Sequence, residues 1–396
     1  MAENSKSTLV RRDLLGSVIK ASVGIALADP LLNSGIALAE PIEAPKGTEA
    51  SGYAASAAKS PLVPFDFYRR SVGPTDVRIE ILFCGVCHSD IHTARNEWGG
   101  TVYPCVPGHE IVGKVTEVGE KITKFKIGDT VAVGCLVNSC QHCLSCEEGL
   151  EQFCENGATF TYNSPDKGTG KTTYGGYSNA VVVTEKFVVK IPSKLDPKGA
   201  APLVCAGITT YSPMWHWKVK PGQKVGIVGI GGLGHVAVKI AKALGANVFA
   251  ITTSPGKVLD ARRLGADGAI LSLDAKIMKA HENTFDFILN TIPQSHDLNP
   301  YISLLKRDRT LVVVGALEKK SSELIASSLI HKRTSVAGSL IGGLAETQEV
   351  VDFCEKHGIL ADTEVIPIQK INEAYDRVVK KDVRYRFVID MSSLKT

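Results

Sequence analysis

The sequence predicts an α/β protein in which a β-rich domain comes first and a doubly wound parallel sheet of six strands follows. The chain has 396 residues, more than a single hydrophobic core usually serves, so two domains are expected. Strand-like segments divided by glycines occupy the stretch from 76 to 133. After Pro221 and Gly222, short apolar runs alternate with helical patterns, as they do in βαβ units.

The first domain is predicted to contain strands separated by turns. DVRIEILF (76–83) alternates apolar and polar residues, which is typical of a half-buried strand. Between 111 and 133, β-type pieces are divided by Gly119 and by the turn at Gly128. Residues 40–60 are rich in Ala, Pro and Gly, and we expect a linker there that runs into a first strand.

Six apolar runs predict the parallel strands of the second domain: 224–230, 248–252, 268–272, 285–290, 309–315 and 334–340. Helical patterns at 233–244 and 256–264 separate the first three runs. The chain then continues through a helical segment, TQEVVDFCEKH, to a last strand at 385–390. Because this tail follows the sixth strand, we expect it to return to the first domain.

The composition argues against several classes of protein. The chain is 44% hydrophobic and 22% charged, which is ordinary for a soluble globular protein. A net charge of +4 without a long basic run gives no indication of nucleic-acid binding. Ten cysteines are too few for a disulfide scaffold of this length, and their clustering favours metal binding.

The first 39 residues differ from the rest of the chain. Arg11 and Arg12 precede a mostly apolar stretch, 16–28, and ALA at 37–39 fits a small-residue cleavage site. Lys20 within this stretch, and Asp29 and Pro30 directly after it, interrupt the apolar run, so no membrane span is expected. The pattern resembles a twin-arginine signal, which predicts that residues 1–39 direct export to the periplasm through the twin-arginine machinery. A disordered, alanine-rich extension of a cytoplasmic protein is the alternative.

Four cysteines form a C-x2-C-x2-C-x7-C array: Cys140, Cys143, Cys146 and Cys154. Close thiolates that converge on one point suit the tetrahedral coordination of Zn²⁺. Because four protein ligands leave no open position, the array predicts a structural zinc site, and the reactive groups are expected elsewhere.

A glycine-rich loop follows the first strand of the second domain. Gly229, Gly231 and Gly234 form G-x-G-x-x-G between that strand and a helix, and Gly232 and Leu233 lie inside the loop. In this context the motif predicts a dinucleotide site: the glycines allow a tight turn, a close approach of the pyrophosphate, and helix–strand packing. A glycine-rich turn in a buried βα unit is the alternative.

The end of the next strand favours NADP(H) over NAD. Positions 250–254 read AITTS, without the acidic residue that usually binds the ribose 2′-hydroxyl of NAD. The hydroxyls of Thr252, Thr253 and Ser254, with the cation of Lys257, suit a 2′-phosphate. For Lys257 alone, a solvated surface lysine is the alternative.

A second group of possible metal ligands lies upstream. CHSDIH (87–92) contains a thiol, a hydroxyl, a carboxylate and two imidazoles, and Gly108-His109-Glu110 follows after a loop. Taken singly, Cys87 is compatible with a core position and His109 with a loop histidine. Together with the cysteine array and the dinucleotide motif, they indicate a reactive metal site.

These motifs together carry a family resemblance. CGVCHSD-x-H, YP-x-VPGHE-x-VG, the cysteine array, CAGITTY and GIGGLGH occur in this order. From about residue 50 to 390 the chain resembles the zinc-dependent medium-chain alcohol dehydrogenases, in particular the cinnamyl-alcohol-dehydrogenase-like, NADP-dependent aldehyde reductases. The resemblance implies a GroES-like catalytic domain at 61–203, a Rossmann domain at 204–343 and a return to the catalytic domain at 344–396. It also implies a homodimer paired along the nucleotide-binding sheets.

The resemblance implies a catalytic zinc held by Cys87, His109 and Cys205. This Cys2His set leaves one position for water or a substrate oxygen. Glu110 matches a residue next to the zinc that ligates it transiently. Asp90 matches a carboxylate that orients the His109 ring.

Further roles follow from the same resemblance. Ser89 and His92 match a proton relay, and Trp98 matches an aromatic residue of the substrate pocket, with simple core packing as its alternative. Thr209, in CAGITTY, is expected at the cofactor. Four cysteines have no role and are expected to be buried thiols: Cys84, Cys105, Cys135 and Cys354.

The expected function is reduction of aldehydes to primary alcohols, with NADPH as cofactor and two zinc ions per subunit. Two alternatives stay open. One is an NAD-dependent dehydrogenase that oxidises alcohols or polyols, and the other is a non-catalytic protein that binds NADPH or zinc on the same fold.

Overall fold

The structure is a computed structural model that describes residues 47–166, 169–315 and 323–395. The predicted signal at 1–39 lies outside these residues. The strands, in chain order, are β1 (Thr48–Ala55), β2 (Leu62–Arg69), β3 (Asp76–Gly85), β4 (Ile111–Val118), β5 (Thr130–Val133), β6 (Leu136–Asn138), β7 (Thr159–Phe160), β8 (Ala180–Thr184), β9 (Val189–Lys190), β10 (Lys224–Val228), β11 (Asn247–Thr252), β12 (Gly268–Leu271), β13 (Phe285–Asn290), β14 (Leu305–Val313), β15 (Ser335–Gly338), β16 (Thr363–Pro367) and β17 (Arg386–Asp390).

The α-helices, in chain order, are α1 (His88–Ala94), α2 (Leu144–Glu147), α3 (Pro197–Ala200), α4 (Ala206–His216), α5 (Gly234–Ala243), α6 (Lys257–Arg263), α7 (Ala275–Ala280), α8 (Asn299–Leu304), α9 (Ala326–Ile330), α10 (Leu344–His357) and α11 (Ile371–Val379). Short 3-10 helices lie at Glu151–Phe153, Glu185–Phe187, Ala201–Val204, Ile368–Lys370 and Met391–Lys395. Among the described residues, no helix combines the length and apolar character needed to cross a bilayer.

The β-rich part is built around one mixed sheet. Its strand order is β16-β17-β3-β4-β5-β9, and β8 also pairs with β3. In β3, Val77, Ile79 and Ile81 are buried, as the alternation in the sequence predicts. The tail strand β17 pairs antiparallel with the end of β3, so the C-terminal segment does return to this sheet. The domain boundaries themselves stay predictions.

The second sheet has six parallel strands in the order β12-β11-β10-β13-β14-β15, which confirms the predicted doubly wound sheet. The chain starts at β10 in the middle, runs outward through β11, and later resumes on the other side at β13. This reversal puts a crevice at the carboxyl ends of β10 and β13, where such sheets bind ligands. β12 and β15 are the two edge strands of this sheet. The expected homodimer stays a prediction, and a mass measurement in solution tests whether the chain dimerises.

The element ends differ from the predicted ones by a few residues. The stretch expected as a linker, 40–60, contains β1, which pairs antiparallel with β2. Among the six parallel strands the largest difference is at β14, which starts at Leu305 instead of 309, because Leu305 already pairs with Phe285 of β13. The segment that follows, Lys306 to Asp308, is exposed and carries no apolar periodicity. Local sequence therefore does not predict a strand there, and pairing with β13 extends the strand through these residues.

Candidate active site

Cys87 lies at the junction between β3 and α1. It occupies the residue just before the helix, and its backbone N–H donates to the Asp90 carboxylate at 2.8 Å. An acidic residue in the first turn satisfies a backbone donor that the helix leaves unpaired. Val86 is fixed from the other side, because its N–H donates to the Phe387 carbonyl of β17. The Cys87 thiol is thus held at the start of a helix that also carries Ser89 and His92.

Asp90 connects the two halves of the predicted metal site. Its side chain is fully buried. One carboxylate oxygen accepts from the Gly108 N–H at 3.1 Å and from His109 Nδ1 at 3.0 Å. The other accepts from the Cys87 N–H and from the Tyr177 hydroxyl at 3.1 Å. Because a carboxylate only accepts, His109 carries its proton on Nδ1 and leaves Nε2 free to bind a metal.

The predicted catalytic ligands converge. One ligand atom from each of Cys87, His109, Glu110 and Cys205 lies within 4.8 Å of the others. His109 Nε2 is 3.2 Å from Cys205 Sγ, which sits at the start of α4. Two thiols and one imidazole are the donor set of catalytic zinc sites with an open position.

The thiols and His109 perturb each other's protonation. Contact with Cys205 lowers the pKa of Cys87 well below its ordinary value. Contacts with Cys135 and Cys87 raise the pKa of Cys205. Burial lowers the pKa of His109, but the neighbouring Asp90 carboxylate outweighs it and raises that pKa.

Glu110 is a fully buried carboxylate beside this set. Burial raises its pKa to about 7 against the opposing effect of Arg386. Arg386 Nη2 lies 2.9 Å from Glu110 Oε1, but the geometry is not that of a hydrogen bond. Both carboxylate oxygens of Glu110 therefore lack a hydrogen-bond donor among the described residues. Unsatisfied buried oxygens next to two thiols fit a site built for a metal ion.

Ser89 and His92 lie on one face of α1, three residues apart. Ser89 lines the cleft, and its hydroxyl is 3.7 Å from Cys87 Sγ. His92 lies behind it, with Nδ1 in contact with the Glu97 carboxylate and its ring stacked on Trp98 at 5.3 Å. The His92 side chain keeps 20% of its surface exposed, so it is in contact with solvent, and the proton relay through Ser89 and His92 stays a prediction. Trp98 lines the cleft and is 37% exposed, which excludes simple core packing.

A single cleft of about 1020 Å³ joins these groups to the nucleotide-binding sheet. The metal-binding residues and Ser89 lie at one end, and the glycine loop and the end of β11 line the rest. Thr209 of α4 also faces the cleft. The volume is at the upper end for small-molecule sites and suits a dinucleotide with a substrate beside it.

The glycine loop has the geometry that the motif predicts. Gly229 has a φ of +87°, a turn conformation that favours glycine. A Cβ on Gly231 would meet no atom within 4 Å, so the loop is open toward the cleft. A Cβ on Gly234 would lie 1.9 Å from the Gly229 carbonyl oxygen, so this glycine permits close helix–strand packing. Gly232 and Leu233 also line the cleft.

The end of β11 and the residues after it carry the groups expected to bind the 2′-phosphate of NADP(H). Thr252, Thr253, Ser254 and Lys257 all line the cleft. The Ser254 N–H donates to the Thr252 hydroxyl at 3.1 Å, which fixes the turn after the strand. Lys257 Nζ donates to the Ile230 carbonyl at 2.6 Å, so this lysine is tied to the glycine loop and is not a freely solvated surface residue.

Arg386 and Cys135 also line the cleft, although neither was assigned a role from the sequence. Arg386 is buried, donates to the Val86 carbonyl at 3.2 Å, and would lie 2.9 Å from a Cβ on Gly232. Arg386 could have been singled out from the sequence, because it lies inside the apolar strand RYRFVID and a charged residue in a buried strand needs a partner. The expectation that Cys135 is buried was wrong: it is half-buried, lines the cleft and contacts Cys205, whereas Cys84, Cys105 and Cys354 are buried.

The four-cysteine array forms a second cluster, in which the ligand sulfurs lie within 4.8 Å of one another. All four are free thiols. Backbone N–H groups point at the sulfurs: Cys143 N is 3.3 Å from Cys140 Sγ, and Glu155 N is 3.4 Å from Cys143 Sγ. The Asn156 side chain, with the backbone N–H groups of the loop, lowers the pKa of Cys140 to about 5. Four thiols so arranged fit a closed tetrahedral zinc site.

Comparison with known proteins gives two family models that match the chain. A model described as "Alcohol dehydrogenase GroES-like domain" matches residues 73–193, and one described as "Zinc-binding dehydrogenase" matches residues 232–356. Aldehyde reductase YahK of Escherichia coli is 54% identical over 343 residues, which cover 86% of this chain and 97% of the relative. NADP-dependent alcohol dehydrogenase C 1 of Mycolicibacterium smegmatis is 51% identical and covers 87% and 99%.

Solved structures agree with these relatives. A cinnamyl alcohol dehydrogenase from Sorghum bicolor superposes with a TM-score of 0.85 at 48% identity, covering 87% of this chain and 98% of that one. The cinnamyl alcohol dehydrogenase (CAD) from Helicobacter pylori, solved in complex with NADP(H), gives a TM-score of 0.82 at 43% identity, again covering 87% and 98%.

Proposed function

The chain belongs to the zinc-dependent medium-chain alcohol dehydrogenases, in the branch that contains the cinnamyl alcohol dehydrogenases, and we propose that it reduces aldehydes to primary alcohols with NADPH. One observation carries this proposal: the donor set of Cys87, His109 and Cys205, the Ser89 hydroxyl and the glycine loop all open into one cleft. A metal ligand set, a proton donor and a dinucleotide loop are what such a reduction requires.

We propose two zinc ions per subunit, one on the Cys2His set and one on the cysteine array. The first would polarise the aldehyde oxygen while NADPH supplies a hydride to the carbonyl carbon. Asp90 holds the His109 ring so that Nε2 faces the metal position. Glu110 lies beside the ligands as a further carboxylate donor, held there by the charge of Arg386.

The product oxygen needs one proton, and the chain supplies a route for it. The Ser89 hydroxyl is the donor on the cleft wall, and His92 replaces its proton from solvent. The contact with Glu97 and the stacking on Trp98 fix the His92 ring beside Ser89. Reduction thus consumes one aldehyde, one NADPH and one proton, and it yields one alcohol and NADP⁺.

The cleft wall near the metal ligands favours aldehydes with an apolar body. Trp98, Phe160 and Tyr162 line it, and the Tyr162 ring lies 5.6 Å from the His109 ring. Flat apolar surfaces of this kind bind aromatic and aliphatic chains better than polyols, which would leave hydroxyls without partners. A panel of aromatic, aliphatic and sugar-derived aldehydes, with NADPH and NADH compared for each, tests both the substrate and the NAD-dependent alternative.

Replacing Ser89 with alanine should reduce kcat by about 10²–10⁴-fold, because one positioned proton donor is lost. Zinc content and NADPH affinity should stay unchanged, since the Ser89 hydroxyl is 3.7 Å from the Cys87 sulfur and contributes no ligand. The measurement is steady-state turnover beside metal analysis and NADPH titration. Wild-type turnover in this variant, or full turnover by zinc-depleted protein, would exclude the mechanism, whereas a wild-type protein that binds NADPH but turns over no aldehyde would favour the non-catalytic alternative.

We also propose that the N-terminal segment exports the folded protein to the periplasm by the twin-arginine route. Arg11, Arg12 and the ALA sequence at 37–39 support it. Export after folding would let the cysteine array bind zinc before it meets an oxidising compartment, where free thiols form disulfides. Changing Arg11 and Arg12 to lysine should retain the protein in the cytoplasm. If cell fractionation finds it there before and after the change, the cytoplasmic alternative holds.

A further inference from the structure

The end of the cleft that receives the cofactor carries more positive charge than the glycine loop and Lys257 supply. Lys381 and Arg384 line the same cleft, although they come from the segment between α11 and β17. Burial lowers the pKa of Lys257, and the charges of Arg384 and Lys381 lower it further. Arg384 and Lys381 are therefore both near enough to repel the charge of Lys257.

Very little negative charge balances these cations. Among the described residues that line the cleft, none is an Asp or Glu. The carboxylate that pairs with one of these cations is Asp260 of α6, which lies 2.9 Å from Arg384 between Oδ2 and Nε. Lys381 makes no side-chain hydrogen bond or ion pair with any described residue, and its side chain is exposed. Three cations and one carboxylate leave an excess of two positive charges at this end of the cleft.

An excess of two positive charges matches one chemical group of the proposed cofactor. A phosphate monoester carries a charge of about −1.5 to −2 at pH 7 and offers three acceptor oxygens. The ribose hydroxyl of NAD at the same position would leave the repulsion in place. The Arg384 guanidinium is suited to phosphate because its planar fork presents several donors, and its ion pair with Asp260 fixes where the fork lies.

We propose that Lys381 and Arg384 complete the site for the 2′-phosphate of NADP(H), together with Lys257 and the hydroxyls at the end of β11. The inference rests on the proposed NADPH-dependent function and deepens it. Selectivity for NADPH is then divided between the nucleotide-binding sheet and the C-terminal segment, so bound cofactor joins two parts of the fold that are more than 100 residues apart in sequence.

The test compares Lys381→Ala and Arg384→Ala with a matched control, Lys380→Ala. Lys380 is the exposed neighbour of Lys381, carries the same charge and does not line the cleft. With one aldehyde held constant, kcat/KM for NADPH should fall about tenfold in each cleft variant, the value of one charge-assisted hydrogen bond. For NADH, kcat/KM of the two cleft variants should stay within about twofold of the wild-type value. For Lys380→Ala, kcat/KM should stay within about twofold of the wild-type value with either cofactor.

A binding measurement separates phosphate recognition from a structural role. Adenosine 2′,5′-bisphosphate and adenosine 5′-monophosphate differ only in the 2′-phosphate, so a loss confined to the bisphosphate supports the proposal. Arg384→Lys keeps the charge without the fork and should recover part of the loss. Added salt should weaken bisphosphate binding more in the wild type than in the variants, because the variants have lost part of the charge interaction.

Two results would overturn the inference. Equal losses with NADPH and NADH would show that these cations support the fold or the pyrophosphate, and losses no larger than that of Lys380→Ala would show that they do not contact the cofactor. Neither result bears on whether the wild type reduces aldehydes with NADPH. If the wild type lacks that activity, the proposed function fails, and the bisphosphate titration still reports on this site.

Discussion

Asp90→Asn is expected to weaken retention of the catalytic zinc by about 10–100-fold, the usual effect of removing a carboxylate that orients a metal-binding histidine. The same variant should lose about 3–5 kcal/mol of unfolding free energy, because a buried charge network loses its acceptor. The Asp90 carboxylate accepts from four donors: the N–H groups of Cys87 and Gly108, His109 Nδ1 and the Tyr177 hydroxyl. An asparagine keeps one oxygen, and its amide N–H₂ would face two of these donors.

The two effects have separate measurements. Zinc content after dialysis against a graded series of chelator concentrations reports metal affinity, and urea unfolding of the zinc-loaded and zinc-free protein reports stability. Asp376→Asn is the matched control, because Asp376 pairs with Arg95 at 3.2 Å on the surface with 64% of its side chain exposed. It should change stability by less than about 1 kcal/mol. Normal zinc retention and stability in Asp90→Asn would show that Asp90 does not organise the site.

The Asp90 network also shows what the sequence could and could not predict. The strand β3 and the six parallel strands were predictable, because alternating and continuous apolar runs reflect burial on one face or on both. The glycine loop was predictable for a local reason. Gly229 needs a positive φ and Gly234 has no room for a side chain, so only glycine fits at either position.

Long-range contacts left no comparable signal. The bond from His109 to Cys205 spans 96 residues, and the bond from Arg386 to Val86 spans 300. Cys205 was identified by the family resemblance alone, since no spacing rule connects it to Cys87. Arg386 is the first residue of β17 and Arg384 lies just before it, and the pairing of β17 with β3 brings both back to the cleft. Spatial proximity of this kind depends on sheet topology, which local patterns do not encode.

The lobe that carries the cysteine array should depend on its metal more strongly than any other part of the fold. Between β6 and β7 the lobe contains only α2 and one 3-10 helix. Leu144 and Phe153 in this segment are 64% and 50% exposed, so little apolar surface is buried there. With so small a core, the sulfur ligands must hold the lobe together, as in small domains that are unfolded without zinc.

Cys154→Ser is therefore expected to lower the zinc content from the proposed two ions per chain to one and to unfold the lobe locally. Hydrogen exchange should rise between 139 and 158. Turnover should fall as well, because β7 leads directly into Tyr162 and Asn163 of the cleft wall, and the Tyr162 ring stacks near His109. Metal analysis, hydrogen exchange and kinetics on the same preparation test these three effects together.

The control for Cys154→Ser is the same substitution at Cys354, which is fully buried in α10 and far from the array in sequence. Cys354→Ser places a hydroxyl in an apolar core and should cost about 1–3 kcal/mol while both zinc ions are kept. The comparison separates loss of a buried thiol from loss of a metal ligand. If Cys154→Ser retains two zinc ions and a protected lobe, the array does not hold zinc, and the lobe must be stabilised by its contacts with the rest of the fold, such as the bond from the Leu344 N–H to Glu151 at 3.0 Å.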